Sequence, residues 1–373
     1  MLKITFFKHV LQLTDGINLL AGINFPILFA LLLVWILIYF CVWKETHSVG
    51  KVVLYSVPLP ILLLGILLLR AVTLPGFLGG WQLYLSPVWS ALADPAVWTS
   101  AFSQIFFTLS LGFGIMIAYG SYKNPEDDIA KNTWVTALIN SGISLFAGFV
   151  VFGVLGYMAW QTSTPIEELA TSGPGLAFIV FPEALSLMPF PWLFSALFFL
   201  MLLSLGIDSA FSLIEAIDAA ILDKQKQIDI PRVSLWVCLA GLIAGIVYTT
   251  RAGLYFLDIV DHFVTNYNLM LVGICQSMLA GWIYGAEKLR RYINEVSDWQ
   301  VGKWWNFSIK YLIPLILVAL MATQFSKDFK TPYEGYPSWA LGIGWAIPIV
   351  PLLGCLSLLV IEQKSRREKS FQD

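Results

Sequence analysis

The chain has 373 residues, 58% of them hydrophobic and only 12% charged, and its mean hydropathy is +0.76. Soluble domains carry about 25% charged residues, so the composition excludes a soluble globular protein and indicates a polytopic membrane protein. A formal net charge of −2 also excludes the basic surface that a nucleic-acid partner needs.

Met1–Asn24 reads as a polar, partly amphipathic lead-in, with no continuous apolar core of the kind a secretory signal has. A first span is predicted over Phe25–Trp43. A short loop with Lys44, His47 and Lys51 leads to a second span, Val52–Val72. Leu74-Pro75-Gly76 and Gly79-Gly80-Trp81 then open a loop with a surface helix reaching Trp98.

The next stretch, Gln104–Tyr122, has the length and apolarity of a span, but its middle is a poor helix. Thr108, Ser110, Gly112 and Gly114 fall within two turns, and each interior glycine costs roughly 1 kcal/mol against alanine. The spacing Gly112-Phe113-Gly114 is wrong for a GxxxG packing face. A break is therefore expected, and broken backbone at membrane depth is tolerated only where it lines a protein-enclosed cavity.

Further spans are predicted over Thr133–Trp160, Trp192–Leu222, Val233–Tyr248, Leu257–Tyr284, Trp305–Phe325 and Trp339–Ile361, nine in all with the broken one. Between them, Gln161–Pro191 is too apolar for a free loop and is expected to fold back as a lid. Cys41, Cys238, Cys275 and Cys355 sit in apolar segments without CxxC spacing, as buried thiols rather than a disulfide or metal set. With the N-terminus outside, inner loops and flanks hold sixteen of the lysines and arginines and outer ones six. That asymmetry places the C-terminus in the cytoplasm.

Asp208 is the plainest functional candidate. An unpaired carboxylate in a span costs at least about 2.5–3.5 kcal/mol, so it needs a partner or a cation. No lysine or arginine lies at comparable depth in a span, which favours a bound ion over a salt bridge. Ser209 adds a hydroxyl, and hard oxygen donors suit an alkali ion. Asn140 and Ser144 are four apart, one above the other on a helix face; the Asn140 amide oxygen is a fair sodium ligand, while Gln104, Thr108 and Ser144 fit interhelical hydrogen bonding and chloride binding equally well. Glu215, on the same helix as Asp208, fits an inner-side polar network. Catalysis finds no support. Asp208 has no second aspartate to face it across a cleft, no GxSxG elbow occurs, and His262 is the only histidine within a span.

Gln-Ile-Phe-Phe-Thr-Leu-Ser-Leu-Gly-Phe-Gly followed by Tyr-Gly-Ser-Tyr resembles the sixth helix of the neurotransmitter:sodium symporters, in their bacterial branch. Gly50-Lys51-Val52-Val53, Thr73-Leu74-Pro75-Gly76, Ser172-Gly173-Pro174-Gly175 and Leu205-Gly206-Ile207-Asp208-Ser209 resemble its fifth helix, outer lid and eighth helix. The resemblance implies an all-α, LeuT-like inverted-repeat transporter fold. Residues 1–98 would be a lead-in plus the last two helices of the first repeat and an outer loop. Residues 99–285 would be a complete second five-helix repeat, and 286–373 two C-terminal helices with a basic tail. Family members have twelve spans, so the chain is expected to lack the first three helices.

By the same resemblance, Thr108, Asn140, Leu205 (through its carbonyl), Asp208 and Ser209 bind sodium, and Gln104, Thr108 and Ser144 bind chloride. Phe107, Ser110, Phe113, Ser209 and Leu213 line the substrate pocket, and Asp261 is the outer-gate carboxylate. The implied activity is sodium-coupled, chloride-dependent symport of amino acids or small amines across the bacterial inner membrane. The alternative is a non-transporting remnant, or one part of a split transporter.

Overall fold

The computed structural model describes residues 5–43, 54–169, 173–225 and 228–370. Gly50-Lys51-Val52-Val53 and Ser172 of the motifs above lie outside them. The described chain is helical, and its single β-bridge, Ile23 to Thr250, is antiparallel. The helices are α1 (Phe25–Val42), α2 (Pro58–Ala71), α3 (Phe77–Leu85), α4 (Pro95–Thr108), α5 (Ile115–Ser121), α6 (Ile129–Thr162) and α7 (Gly173–Ser186). They continue with α8 (Pro191–Lys224), α9 (Ile230–Gly245), α10 (Gly253–Ile283), α11 (Ala286–Val296), α12 (303–330) and α13 (Ser338–Ser370).

Seven described helices are long and apolar enough to cross a membrane, and the bent pair α10–α11 makes an eighth. The sequence predicts nine; the remaining one is α4 with α5, neither of which is long enough alone. Its outer half begins earlier than expected. Asp94 caps α4, its carboxylate accepting from the Ala96 N–H at 2.9 Å, and Pro95 takes the first helical position. Trp98 therefore belongs to α4 and not to a surface helix.

Two bodies divide the bundle. In the first, α2, α6, α7 and α8 bury a cluster that includes Leu67, Val150, Val154, Phe181, Leu185 and Phe198. The expected lid thus folds onto the protein through α7, where Phe181 stacks on Phe198 with centroids 4.8 Å apart. Helices α1 and α9 close on α8 around Ile38, Phe211 and Cys238. Helix α3 lies so close to α6 that a Cβ at Gly80 would run into the carbonyl of Phe152. In the second body, α10 and α12 bury Leu269, Met270 and Leu317, and α13 covers Ile259 and Phe263.

The broken helix joins the two. Phe106 of α4 is buried in the second body, whereas Ile115 and Ala118 of α5 pack on Ala216 of α8 in the first. A strap from Thr5 to Asn24 crosses one end of the bundle. Phe6 stacks on Phe178 of α7 at 5.5 Å, Thr14 accepts from the Tyr255 hydroxyl of α10 at 2.7 Å, and Asn18 accepts from Trp339 of α13 at 2.9 Å. Asn24 is buried and donates to the carbonyls of Val10 and Leu11.

At the other end α11 lies across the bundle, bent 86° from α10. Glu287 binds Arg290, Arg291 and Asn306, and these partners, Arg290 first, hold its carboxyl down at about 2. Asp128 caps α6. The N–H of Lys131, and after it that of Asp298, keeps its carboxyl below the ordinary range.

Candidate functional site

Helix α4 ends at Thr108 because the next residues adopt conformations no helix contains. Ser110 (φ 54°), Gly112 (φ 82°) and Gly114 (φ 83°) are all left-handed. Glycine reaches that region at no steric cost, while serine pays for it. The carbonyls of residues 109–113 accept no backbone hydrogen bond among the described residues. Carbonyls freed in this way are oxygen ligands in waiting.

Thr108 sits at the edge of the break and meets Asn140 of α6, whose Nδ2 donates to the threonine hydroxyl at 3.0 Å. Opposite, Asn140, Leu205, Asp208 and Ser209 share the wall of one cavity of about 500 Å³, roofed by Leu176 and Phe181 of the lid. Asp208 Oδ1 is buried without a hydrogen-bond partner, and no ion pair reaches it among the described residues. A buried carboxylate oxygen without a partner calls for a cation. The polar side chains that share this wall, the Asp208 carboxylate, the Ser209 hydroxyl and the Asn140 amide, are hard oxygen donors of the kind an alkali ion takes.

The other candidates are less tightly gathered. Phe107 and Phe113 flank the break edge to face, centroids 5.9 Å apart. Ser209 lines the large cavity, whereas Phe113 borders a separate hollow against Ala216 and Ala220. Ser110 stands in the break itself, and Leu213 is exposed on α8, one turn beyond Ser209. Gln104 and Ser144 are exposed and make no side-chain hydrogen bond among the described residues; Thr108, the third member of that set, is engaged by Asn140. Asp261 is exposed on α10.

One cluster went unseen in the sequence. Asp328 of α12 accepts from the Tyr267 hydroxyl at 2.6 Å and from Gln324 at 3.1 Å, and it contacts His262 Nε2 at 2.7 Å. His262 also stacks on Tyr333 at 3.7 Å, and the hydroxyls of Tyr333 and Tyr336 donate to Asp258 at 3.0 and 2.9 Å. Apart from Gln324, four residues before Asp328, the hydrogen-bonded partners lie 61 to 78 residues apart, so no local spacing could show the cluster. The only available signal was an ionisable residue, His262, within a span.

An interrupted span with freed carbonyls and, on the wall of a separate cavity, a carboxylate with a buried, partnerless oxygen describe a helical membrane protein with oxygen ligands to spare. Residues 3–366 match the profile of the sodium:neurotransmitter symporter family, and the chain belongs to that family. It is 39% identical over 362 residues to a sodium-dependent transporter of Methanocaldococcus jannaschii, covering 96% of this chain and 73% of the relative. It is 35% identical to the sodium- and chloride-dependent creatine transporter 1 of Bos taurus and 33% to the human sodium- and chloride-dependent taurine transporter. It spans 58% and 60% of the lengths of those two proteins.

Proposed function

We propose that this chain carries the ion- and substrate-binding core of a sodium-coupled, chloride-dependent symporter of amino acids or related small amines. The observation that carries this reading is the half-buried Asp208, whose Oδ1 is buried without a hydrogen-bond partner, on the cavity wall shared with Asn140 and Ser209. One sodium ion lies between Leu205, Asp208 and Ser209, and a second by Thr108 and Asn140, whose contact across the break couples α4 to α6. The names of the relatives support both ions.

Chloride is assigned to Gln104, Thr108 and Ser144, which supply an amide N–H and two hydroxyls, neutral donors suited to an anion. The substrate lies against Phe107, Ser110, Phe113, Ser209 and Leu213. The aromatic pair covers its apolar body and the opened backbone meets its polar end. Asp261 acts at the outer gate. The fold is read as LeuT-like, with residues 99–285 as one five-helix repeat. The charge asymmetry supports an outside N-terminus and a cytoplasmic C-terminus, and the resemblance of the broken helix to the bacterial branch supports a bacterial plasma-membrane location.

The test is retention of radioactive sodium by the purified chain in lipid nanodiscs, with potassium as competitor. The expected result is sodium retention that excess potassium does not displace and that Asp208→Ala abolishes while membrane insertion persists. Equal retention by wild type and Asp208→Ala would discard the reading. For chloride, Ser144→Glu is expected to make sodium retention independent of chloride, and an unchanged chloride response would remove that site.

A further inference from the structure

Beyond Asp208, α8 carries two more acids at membrane depth, and neither is used by the reading above. Glu215 and Asp218 are 7% and 5% exposed. They are three residues apart on one helix, and hence neighbours on its surface. Asp218 Oδ2 accepts from the Ser234 hydroxyl of α9, but Asp218 Oδ1 and Glu215 Oε2 are buried without any partner.

No cation answers them among the described residues. The groups facing the pair are Tyr119 from α5 and Ser234 and Cys238 from α9. Cys41 of α1 faces Asp208 instead, and Arg70 of α2 lies over Phe194, toward the opposite end of α8. Phe211, Ile214 and Cys238, packed against Ile38 and Val42, form the adjoining apolar wall. Two ionised carboxylates there would each carry the cost of an uncompensated charge at membrane depth and would repel one another besides.

A metal ion does not resolve this. No third His, Cys, Asp or Glu joins the two acids among the described residues, and, unlike Asp208, neither acid borders the cavities described above. A proton requires no cavity. It cancels one charge and turns an acceptor-only oxygen into a donor, which is what two crowded carboxyls with unmatched oxygens lack.

We propose that Glu215 and Asp218 form a proton-binding site, holding one proton between them in the conformation described here, so that a proton is a further ligand of this protein. The site stands apart from the proposed sodium ligands and does not depend on them, yet a chain of hydroxyls links the two. Tyr119 donates to Ser212 at 3.0 Å, and Ser212 donates to the backbone carbonyl of Asp208 at 2.8 Å. Tyr119 belongs to the inner half of the broken helix, so movement of α5 away from α8 opens the pair to water and lets the proton leave as hydronium.

The test is an infrared pH titration of the full chain in lipid nanodiscs, following the carboxylic-acid C=O stretch, with thermal unfolding measured in parallel. The wild type is expected to retain at about pH 7 a band worth one carboxyl, and Glu215→Gln/Asp218→Asn to lose it. Asp208→Asn should leave that difference in place. Because the folded state holds a proton that an unfolded carboxyl releases above about pH 4.5, wild-type Tm is expected to fall as the pH rises from there until the folded pair gives the proton up. The double variant should lack that decline while matching wild type at about pH 4.5. Asp218→Asn alone, which keeps the Ser234 contact, gives the same reading if the double variant does not fold. A band unchanged in the variants would overturn the proposal. So would a variant Tm lowered equally at every pH, since that is the behaviour of an ionised pair held by a cation.

Discussion

Two polar regions lie at similar depth of burial and are built on opposite plans. Around His262 and Asp328, in the second body, each oxygen of the aspartate has a donor, and the side chains come from α10 and α12. Along α8, in the first body, Asp208, Glu215 and Asp218 each leave an oxygen without a partner. A saturated network rigidifies what it joins, and an unsaturated one keeps its capacity for a ligand. The first therefore reads as scaffold and the second as site, with the broken helix anchored by α4 to one and by α5 to the other.

The comparison breaks most easily at Asp328. Asp328→Ala strands His262, Tyr267 and Gln324 together, and removing one partner of a buried pair typically costs about 3–5 kcal/mol. Thermal unfolding in nanodiscs should show it as the most destabilised of these variants, and a near-neutral result would mean that the network is not scaffold. Tyr336→Phe removes a single donor to a carboxylate, Asp258, and is expected to cost about 1.5 kcal/mol by the same measurement.

Asp208→Asn should behave in the opposite way. It removes a charge that lacks an ion partner, so in sodium-free buffer stability should hold or rise, by at most about 2.5–3.5 kcal/mol, while sodium retention disappears. Loss of stability comparable to that of Asp328→Ala would place Asp208 with the scaffold and erase the contrast.

The smallest effect is expected on the surface, at Glu287. Its carboxyl is held at about 2, below the ordinary value of 4.5. Its contribution is therefore complete above about pH 4.5 and is lost as the pH falls toward about 2. The gap in Tm between wild type and Glu287→Gln should close over that window. A gap that persists at low pH would mean that Glu287 acts through packing.

Much of this was legible in the sequence. The break was readable because Ser110, Gly112 and Gly114 conflict with a helix by local chemistry alone, and all three have positive φ. Asp208 was readable because an acid in a span needs an explanation wherever it packs. The lid was readable from its apolarity, and Phe181 and Leu185 are buried. What stayed hidden depends on contacts between distant segments. The start of α4 at Pro95 was masked by the adjoining turn-rich stretch. His262 gave no hint of Asp328, and Asp218 gave none of Ser234, which approaches it from another helix. The grouping of α4 with α10 and of α5 with α8 follows from packing that no periodicity encodes.

The strap from Thr5 to Asn24 has a mechanical meaning. It is attached to α7 of the first body through Phe6 and Phe178, and to α10 and α13 of the second through Thr14 and Asn18. It therefore works as a tether laid across the seam between them. Any separation of the two bodies at that end must stretch the chain between these anchors or release one. Each anchoring hydrogen bond resists with about 1 kcal/mol, little enough for thermal motion to release one and let it re-form. The seam is thus latched rather than locked, and the strap sets the threshold at which it parts.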